Sequence, residues 1–479
     1  MAFLIGGANS AADTGYDIDN SLRAGDSTNY KLARTPSSNG SERIFTFSAW
    51  VKRGSITDNR EILFRPDSGN PWADLEFQTD DSIICMTNGG SGAGVVTNRL
   101  FRDVSAWYHL VCAVDTTQST EANRVKIYVN GVLETSFSES NYMAQNADTT
   151  NNQTNSFTQI FGDSYGNHLH MADVYWIDGT QYAASDFGET DEDSGIWKPK
   201  EAKNDLTFGT NGFFLEFKQT GTSQNSSGIG ADTSGNDNHL AVTGFDAQDQ
   251  TTDTPTNNFA TILSNYASDE VHTVSSDFSE GNTKFVASTS AHSYGRCSIG
   301  VSSGKWYVET KITEGGNGQS SSLYSVPANS ATAVGDDTQG AGWTVQLASS
   351  TTELRKKDKG SSTTIFTDFA SGNIAQMALD LDNGKMWLGN NGSWYNDDNA
   401  SATLDSNNPD ITGLTSEMRL FAINSYKNDS DINTYEINFG NPSFTISSGN
   451  ADANGYGNFE YAPPSGFYAV CTKNLAEFG

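Results

Sequence analysis

Short runs of alternating apolar and polar residues, each ended by a turn rich in Asn, Asp or Gly, constrain the fold of this chain most strongly. In the run VKIYVNG, which begins at Val125, three apolar side chains share one face, and Asn130-Gly131 supplies the positive φ angles of a type I′ hairpin turn. The segment 378–394 (ALDLDNGKMWLGNNGSW) shows the same pattern with two such turns. Side chains of a strand point alternately to opposite faces, so this period indicates half-buried strands.

The length and composition extend this interpretation to the whole chain. At 479 residues the chain is too long for one ordinary core, and its 46 glycines and 11% aromatic residues suit short strands joined by polar turns. No stretch of ten residues keeps a 3.6-residue apolar period. The predicted fold class is therefore all-β, as two consecutive antiparallel β-sandwiches with helix below about 10% of the residues.

The charge balance restricts the partners. The chain has 28 Lys and Arg against 58 Asp and Glu, a formal net charge of −30. Such a surface repels nucleic-acid phosphates and anionic membranes. No run reaches the roughly 18 apolar residues of a membrane span, and the first residues lack the basic region of a secretory signal. We expect no nucleic-acid binding and no membrane insertion.

The cysteines and histidines give little indication of a metal or a disulfide framework. Four cysteines are too few and too scattered for either, and Cys112, within the run LVCAV, is predicted to be a small buried apolar residue. His168 and His170 could share one face of a strand as a metal pair, but no third ligand lies near in sequence. Ordinary surface histidines are the simpler interpretation.

Groups of these runs resemble two known domain families. The runs FTFSAWVK, WYHLVCAVD, VKIYVNGVL and MADVYWIDGTQYAASDFGE follow the order and spacing of laminin-G-like (concanavalin A-like lectin/glucanase) domains, over residues 28–250. The runs GKWYVETKI, ALDLDNGKMWLGNNGSW and INFGNPSF resemble the SPRY domain, a bent sandwich, over residues 251–479 with a C-terminal docking tail. The polar segment 246–258 is interpreted as a linker, and residues 1–27 as an N-terminal attachment segment.

The combination of these two domains with the ending YAPPSGFYAVCTKNL resembles structural proteins of marine tailed bacteriophages. That resemblance implies a virion protein, assembled in the host cytoplasm and exposed on the particle surface, with other virion proteins as partners. It implies a homo-oligomer, with a trimer favoured, that acts as a fibre or adhesin and attaches to a host-cell surface glycan or receptor. Two alternatives stay open: a purely structural capsid-decoration or tail-attached spacer without a ligand, and a polysaccharide-degrading glycoside hydrolase.

The acidic residues do not form a glycosidase signature. Glucanases of the concanavalin A-like fold place their carboxylates along one strand, whereas the acidic cluster 189–193 lacks alternating apolar residues and is predicted to be a solvated loop. Asp380 and Asp382 are assigned to the polar face and turn of a hairpin, where they should tolerate Asn within about 0.5 kcal/mol. We therefore predict that the protein is not an enzyme.

The loop after the last of these hairpins is the predicted ligand-binding site. An aromatic ring can cover the apolar face of a sugar while amide and carboxylate groups bond its hydroxyls. The residues assigned to this site are Trp394, Tyr395, Asn396, Asp397 and Asn399. The alternative is that Trp394 caps the core and only the acids are solvated.

No cofactor is predicted, although calcium is considered at one turn. Asp232, Asn236 and Asn238 surround a glycine and offer the hard oxygen ligands that calcium prefers, without the spacing of an EF-hand. The favoured interpretation is a turn held by side-chain hydrogen bonds alone.

Overall fold

The predicted all-β fold is confirmed. The computed structural model describes residues 15–479 apart from 26–28, 55, 57–59, 67–72, 87–93, 163–167, 264–277, 288–291, 315–318, 330–339, 349–350, 415–416 and 427–432. It is 43% strand and 3% helix. The chain divides into a first unit, Ala12–Thr256, and a second unit, which contains Asn257–Gly479. Among the described residues, no helix is long and apolar enough to cross a membrane.

The first unit is built from short strands in two large antiparallel sheets. In chain order its strands are β1 (Ser21–Arg23), β2 (Lys31–Arg34), β3 (Ile44–Arg53), β4 (Glu61–Pro66), β5 (Asp74–Phe77), β6 (Ile83–Met86), β7 (Gly94–Thr97), β8 (Trp107–Asp115), β9 (Val125–Val129), β10 (Val132–Leu133), β11 (Phe137–Ser140), β12 (Thr158–Ile160), β13 (Leu169–Asp178), β14 (Gly188–Thr190), β15 (Trp197–Pro199), β16 (Phe213–Leu215), β17 (Ala241–Thr243) and β18 (Gln250–Thr251). One sheet has the order β10-β9-β8-β3-β13-β1-β18 with β16 beside β13, and the other has the order β11-β7-β6-β5-β4-β12-β2-β17. Strands β14 and β15 pair separately, and Glu121–Asn123 and Ala184–Asp186 form single 3₁₀ turns.

The core of the first unit lies between its two sheets, as the alternating pattern predicts. Phe45 and Phe47 project from β3 and meet Phe64 of the opposite sheet, with the ring centroids of Phe47 and Phe64 4.9 Å apart. Phe45 stacks on Trp176 of the neighbouring strand β13 at 5.1 Å. Asn130 and Gly131 both have positive φ angles, so the hairpin predicted between β9 and β10 is confirmed.

The start of the chain needs a correction. Residues 1–27 were predicted to be a separate attachment segment, but β1 lies inside the first sheet, where Leu22 pairs with Met171 of β13 on one side and with Gln250 of β18 on the other. Every residue of β1 is buried. Leu22 supplies an apolar side chain to the core, which explains why this strand belongs to the sandwich. Residues 1–14 lie outside the described part of the chain.

The predicted linker at 246–258 is also corrected. Gln250 and Thr251 form β18 at the edge of the first sheet, and the carboxylate of Asp253 is fully buried against Lys52, with Nζ 2.9 Å from Oδ2. Thr256 accepts a hydrogen bond from the backbone N–H of Ile18. This segment is held by ion pairs and hydrogen bonds and contributes few apolar side chains to the core. Its composition is therefore as polar as that of a linker. The boundary between the units falls after Thr256.

The second unit is another pair of antiparallel sheets. Its elements are β19 (Phe278–Ser279), β20 (Lys284–Ala287), β21 (His292–Arg296), β22 (Lys305–Glu314), β23 (Gln319–Pro327), β24 (Ala341–Ala348), β25 (Thr351–Asp358), β26 (Ser361–Phe366), β27 (Ile374–Asp380), β28 (Lys385–Asn390), β29 (Ser393–Trp394), β30 (Ile411–Thr412), β31 (Arg419–Tyr426), β32 (Asn433–Asn438) and α1 (Thr472–Phe478). One sheet has the order β19-β20-β32-β22-β27-β28-β29 with β30 beside β28, and the other has the order β21-β31-β23-β24-β25-β26.

The C-terminal residues cover the outer face of the larger sheet of the second unit. Phe467 and Val470 are buried, and Tyr468 stacks on Phe478 of α1 with centroids 3.9 Å apart. The backbone N–H of Tyr468 donates to the carbonyl oxygen of Lys305, at the start of β22. This segment, predicted to dock on the second sandwich, therefore runs beside β22 and brings the loop that precedes it to the start of that strand.

Candidate ligand-binding site

Asp380 and Asp382, at the end of β27, have different environments. The side chain of Asp380 is only 3% exposed, and its Oδ2 lies 3.0 Å from Nζ of Lys305. Its two oxygens also accept hydrogen bonds from the backbone and side-chain nitrogens of Asn383. Asp382 is exposed and accepts a hydrogen bond from the N–H of Gly304. The prediction that Asp380 is a solvated acid is therefore wrong, because Lys305 on the adjacent strand β22 pairs with it.

The predicted loop does not present an exposed tryptophan. Trp394 is 4% exposed and packs with Tyr307, at a centroid distance of 6.2 Å. Asn396 is 1% exposed and braces the following loop, since its amide donates to the carbonyl oxygen of Thr403 and accepts from the N–H of Asp405. Both residues were predicted to contact a ligand, but the structure buries them, and they stabilise the loop that follows β29. The burial arises because β29 pairs with β28 and lies beneath the loop that follows it.

The other three residues of the predicted site lie close to Trp394 and Asn396 and are more exposed. Tyr395 is half-buried and packs against Phe366 at 6.1 Å. Asp397 is largely exposed, with an oxygen 3.6 Å from Nζ of Lys356. Asn399 is exposed, and its backbone N–H donates to the carbonyl oxygen of Tyr395. Of the five residues predicted to bind a ligand, Trp394 alone lines the pocket described next.

A pocket of about 370 Å³ opens on the second unit beside Trp394. Its floor is aromatic: Trp387, Trp394 and Phe467 contribute to the lining, and the rings of Trp387 and Phe467 meet edge to face at 6.0 Å. Lys305 and Asp380 form one wall as an ion pair. We call this site the aromatic pocket. It places aromatic carbon atoms beside fixed hydrogen-bonding groups, the two kinds of contact through which proteins bind sugars.

The rim of the aromatic pocket comes from two loops distant in sequence. Exposed Ala402, Thr403 and Ser406 belong to the loop after β29, and exposed Ala462 and Ser465 precede the C-terminal strand-like segment. Hydroxyl groups from both loops therefore face the opening. No pattern in the sequence links these segments, which explains why the pocket was not predicted. The one available signal was the rigid Pro463-Pro464 pair, which fixes the second loop.

Lys305 is the positively charged donor of the pocket. Its ammonium group has three N–H bonds, and the ion pair with Asp380 directs Nζ to within 5.9 Å of the Phe467 ring centroid. About a third of the Lys305 side chain is exposed. Both oxygens of Asp380 already accept from Lys305 or Asn383. The group that remains for a ligand is therefore the ammonium group of Lys305, whose charge Asp380 balances.

Buried side chains hold both rim loops in place. Trp387 Nε1 donates to the carbonyl oxygen of Asp405 at 2.8 Å, which fixes the first loop above the floor. The Glu309 carboxylate accepts hydrogen bonds from the backbone N–H groups of Glu460 and Tyr461, at 3.0 and 2.7 Å, which fixes the second loop. The pocket is therefore pre-formed by contacts that do not depend on a ligand.

Five buried carboxyl groups have pKa values well above those of ordinary Asp and Glu side chains. Burial raises the pKa of the Glu61, Glu76, Asp173 and Glu309 carboxyl groups to about 7, and raises that of Asp410 to about 6. In each case the loss of hydration outweighs the hydrogen bonds and positive charges that favour the ionised form. These five buried acids tie stability to pH near neutrality.

The turn considered for calcium is held by its own hydrogen bonds. The oxygens of Asp232 accept from the backbone N–H groups of Phe214, Ser234 and Asn238. The side-chain amides of Asn236 and Asn238 donate to the carbonyl oxygen of Gly212. The Asp232 carboxylate and the two side-chain amides are therefore engaged in hydrogen bonds within the turn, which is the interpretation favoured from the sequence. No group of three or more His, Cys, Asp or Glu that could hold a metal occurs among the described residues.

The two histidines considered as a metal pair are buried, and the prediction that they lie on the surface is wrong. His170 lies inside the first sheet, where Trp107 packs edge-on against it at 5.9 Å. Burial and the nearby cations Lys52 and Arg23 lower the pKa of His170 well below its usual value. The imidazole is therefore neutral and forms part of the packed interior.

Comparisons with known proteins agree with the fold of the first unit. Residues 25–173 match the family model described as the concanavalin A-like lectin/glucanases superfamily. The laminin-G-like resemblance is confirmed over these residues. A search of curated proteins gave no match.

The solved structures that this chain matches are distant in sequence. Domains LG4-5 of the mouse laminin alpha1 chain are 10% identical, with a TM-score of 0.28 and coverage of 86% of this chain and 84% of that chain. The SPRY domain of human HERC1 is 14% identical, with a TM-score of 0.24 and coverage of 32% and 87%. The heptameric SAP-like pentraxin from Limulus polyphemus is 13% identical, with a TM-score of 0.26 and coverage of 35% and 80%.

Proposed function

We propose that this chain is a glycan-binding protein and that the aromatic pocket of its second unit holds the sugar. The observation that carries the proposal is the aromatic floor of Trp387, Trp394 and Phe467 beside the Lys305–Asp380 ion pair. A pyranose ring has apolar C–H faces that pack on aromatic rings, and its hydroxyls accept hydrogen bonds from an ammonium group. The superfamily match of the first unit, which includes lectins, supports the same ligand class.

The dimensions of the pocket favour a short ligand. A volume of about 370 Å³ lies at the lower end of the range for small-molecule sites, roughly 300–1,000 Å³. A terminal sugar or a short oligosaccharide branch fits this space better than the interior of a long polymer. The ligand would enter between the two rim loops, where Thr403, Ser406 and Ser465 can exchange hydrogen bonds with its hydroxyls.

We further propose that the protein acts on the surface of a bacteriophage particle, where sugar binding attaches the particle to its host. The combination of the two sandwiches with the proline-containing C-terminal segment supports this setting. The net charge of −30 suits a protein that must not adhere to nucleic acid released around it. Other virion proteins would be its partners, in a homo-oligomer for which a trimer is favoured.

Binding without catalysis is the proposed activity. A retaining glycosidase needs two carboxylates roughly 5–5.5 Å apart. Among the residues that line the aromatic pocket, Asp380 is the one carboxylate, and Lys305 neutralises it. The second function considered, a purely structural spacer, shares the fold but gives no role to the pocket.

A steric block of the pocket tests the proposal without disturbing its buried floor. Ala402→Trp and Ala462→Trp each place a large side chain at the exposed rim, and Ala370→Trp is a matched control on an exposed turn of the same unit that does not line the pocket. The wild-type chain and the three variants would be compared on a glycan array, and the best ligand would be titrated calorimetrically.

We expect the two rim variants to lose at least tenfold in affinity while Ala370→Trp binds as the wild type does. Equal binding by all variants would exclude the aromatic pocket as the site. Absence of any glycan ligand for the wild type would favour the spacer function, and release of reducing sugar from a bound polysaccharide would show an enzyme instead.

A further inference from the structure

Two cysteines meet in the centre of the first unit although the sequence separates them. Cys85 belongs to β6 of one sheet and Cys112 to β8 of the opposite sheet, and both are fully buried. Their sulfur atoms lie 3.4 Å apart across the core. Neither forms a disulfide in this structure. The cysteines are scattered in the sequence, and packing of the two sheets brings these two together.

We propose that Cys85 and Cys112 are a site of oxidative modification, at which a disulfide forms between the two sheets of the first unit when the chain folds under oxidising conditions. The inference is independent of glycan binding. Closing the gap from 3.4 Å to the roughly 2.05 Å of a disulfide needs a change of about 1.3 Å, within reach of side-chain rotation and a slight approach of the strands. A disulfide between the two sheets of a sandwich is known from antibody domains.

The surroundings of the pair distinguish it from the other cysteines. Both strands lie within their sheets, with β6 between β5 and β7 and β8 between β3 and β9, so the new bond would join the interiors of the two layers. Cys297, in the second unit, instead donates to the carbonyl oxygen of Ile299 and accepts from the N–H of Phe421. It serves as the internal control.

The chemistry is a thiol–disulfide exchange with a low-molecular-weight disulfide such as oxidised glutathione. The thiolate of one cysteine attacks a glutathione sulfur, which forms a mixed disulfide and releases one glutathione thiolate. The second cysteine, after losing its proton, attacks the protein sulfur of the mixed disulfide and releases the second glutathione. The two cysteines lose two electrons and two protons in total, and glutathione disulfide gains them.

Burial controls when this reaction can occur. Hydrogen bonding to Cys112 and burial raise the pKa of Cys85, which keeps its thiol protonated in the folded core. We therefore expect slow oxidation of the folded chain and fast oxidation while the chain folds. The product closes a loop between positions 27 apart in sequence, which restricts the unfolded chain and stabilises the first unit.

The test uses the full chain, refolded either in a buffer of oxidised and reduced glutathione or in excess dithiothreitol. Digestion without reduction, followed by mass spectrometry, should give a peptide that links Cys85 to Cys112 in the glutathione sample alone. The thermal transition of the first unit should rise by roughly 5–10 °C in that sample, and return on addition of dithiothreitol.

Matched variants separate the pair from general oxidation. Cys112→Ala should abolish both the linked peptide and the rise in transition temperature, whereas Cys297→Ala should retain both. The proposal fails if the refolded wild type gives no Cys85–Cys112 peptide. It also fails if the peptide forms without a rise in the transition of the first unit, because the bond would then not clamp the two sheets.

Discussion

Removing the Glu309 carboxylate should loosen the C-terminal segment and the aromatic pocket together. The carboxylate is fully buried, and four groups donate to it: the Tyr307 hydroxyl at 2.9 Å, the Asn438 amide at 3.2 Å, and the backbone N–H groups of Glu460 and Tyr461 at 3.0 and 2.7 Å. Glu309→Ala removes an acceptor from all four donors at once, and of the four the Asn438 amide keeps its other bond, to the carbonyl oxygen of Asn458. The second rim loop begins directly after Tyr461, so its position depends on these bonds.

The magnitude follows from the environment of each donor. A buried donor left without a partner costs about 1–3 kcal/mol, and the two backbone groups are partly exposed, so water can replace part of their loss. Burial also disfavours the charged carboxylate and raises its pKa to about 7. Removing that carboxylate therefore relieves an unfavourable burial, which offsets a further part of the lost stability. We expect a net loss of about 3 kcal/mol for Glu309→Ala, a large fraction of the usual 5–15 kcal/mol of a domain.

Denaturant unfolding and amide hydrogen exchange measure this effect at two levels. The free energy of unfolding of the second unit should fall, and the amides of Glu460 and Tyr461 should exchange faster than in the wild type. Asp368→Ala is the matched control, because Asp368 is exposed and should change stability by less than about 0.5 kcal/mol. A loss below about 1 kcal/mol for Glu309→Ala, with unchanged exchange at both amides, would refute the reasoning.

Three further outcomes are expected. Stability should fall as pH rises from about 4.5 to 7, because the five buried acids keep protons in the folded state that the unfolded chain has released; a melting temperature at pH 8 equal to that at pH 5 would contradict this. Asp380→Asn should destabilise the second unit by about 1–2 kcal/mol, since it removes the buried carboxylate that pairs with Lys305 and accepts from Asn383, whereas Asp382→Asn should change it by less than about 0.5 kcal/mol; thermal melts of both variants decide it. A fragment of residues 12–256 should fold alone and 28–250 should not, because the shorter fragment lacks β1 and part of β18; circular dichroism and solubility of the two fragments are the check.

The alternating pattern was sufficient to predict the class of the fold because it records which face of each strand is buried. Val125, Ile127 and Val129 point into the core as their spacing indicates, and Asn130-Gly131 turns the chain with the required φ angles. These features depend only on residues that are neighbours in the sequence. They can therefore be predicted without knowing which strands pair.

The features that the sequence did not predict all depend on distant partners. Asp253 is buried because Lys52, on another strand, neutralises it. Trp394 looked like an exposed ring beside amides, yet residues 401–405 cover it and Asn396 holds them there. The aromatic pocket combines side chains from strands β22, β27, β28 and β29 and from the two rim loops, so no single segment carries its signature.

The pairing of β1 with β18 determines how the first unit would respond to mechanical load. Ser21, at the beginning of β1, lies opposite Thr251, at the end of β18, so the chain enters and leaves this edge of the sheet at the same end of one antiparallel pair. A force that pulls the two ends of the unit apart therefore acts across the strands and separates their hydrogen bonds one after another, as a zipper opens, instead of loading them all in parallel. The edge strand would peel away first while the sandwich behind it stays closed, so the first unit should show a short, reversible extension before its core unfolds.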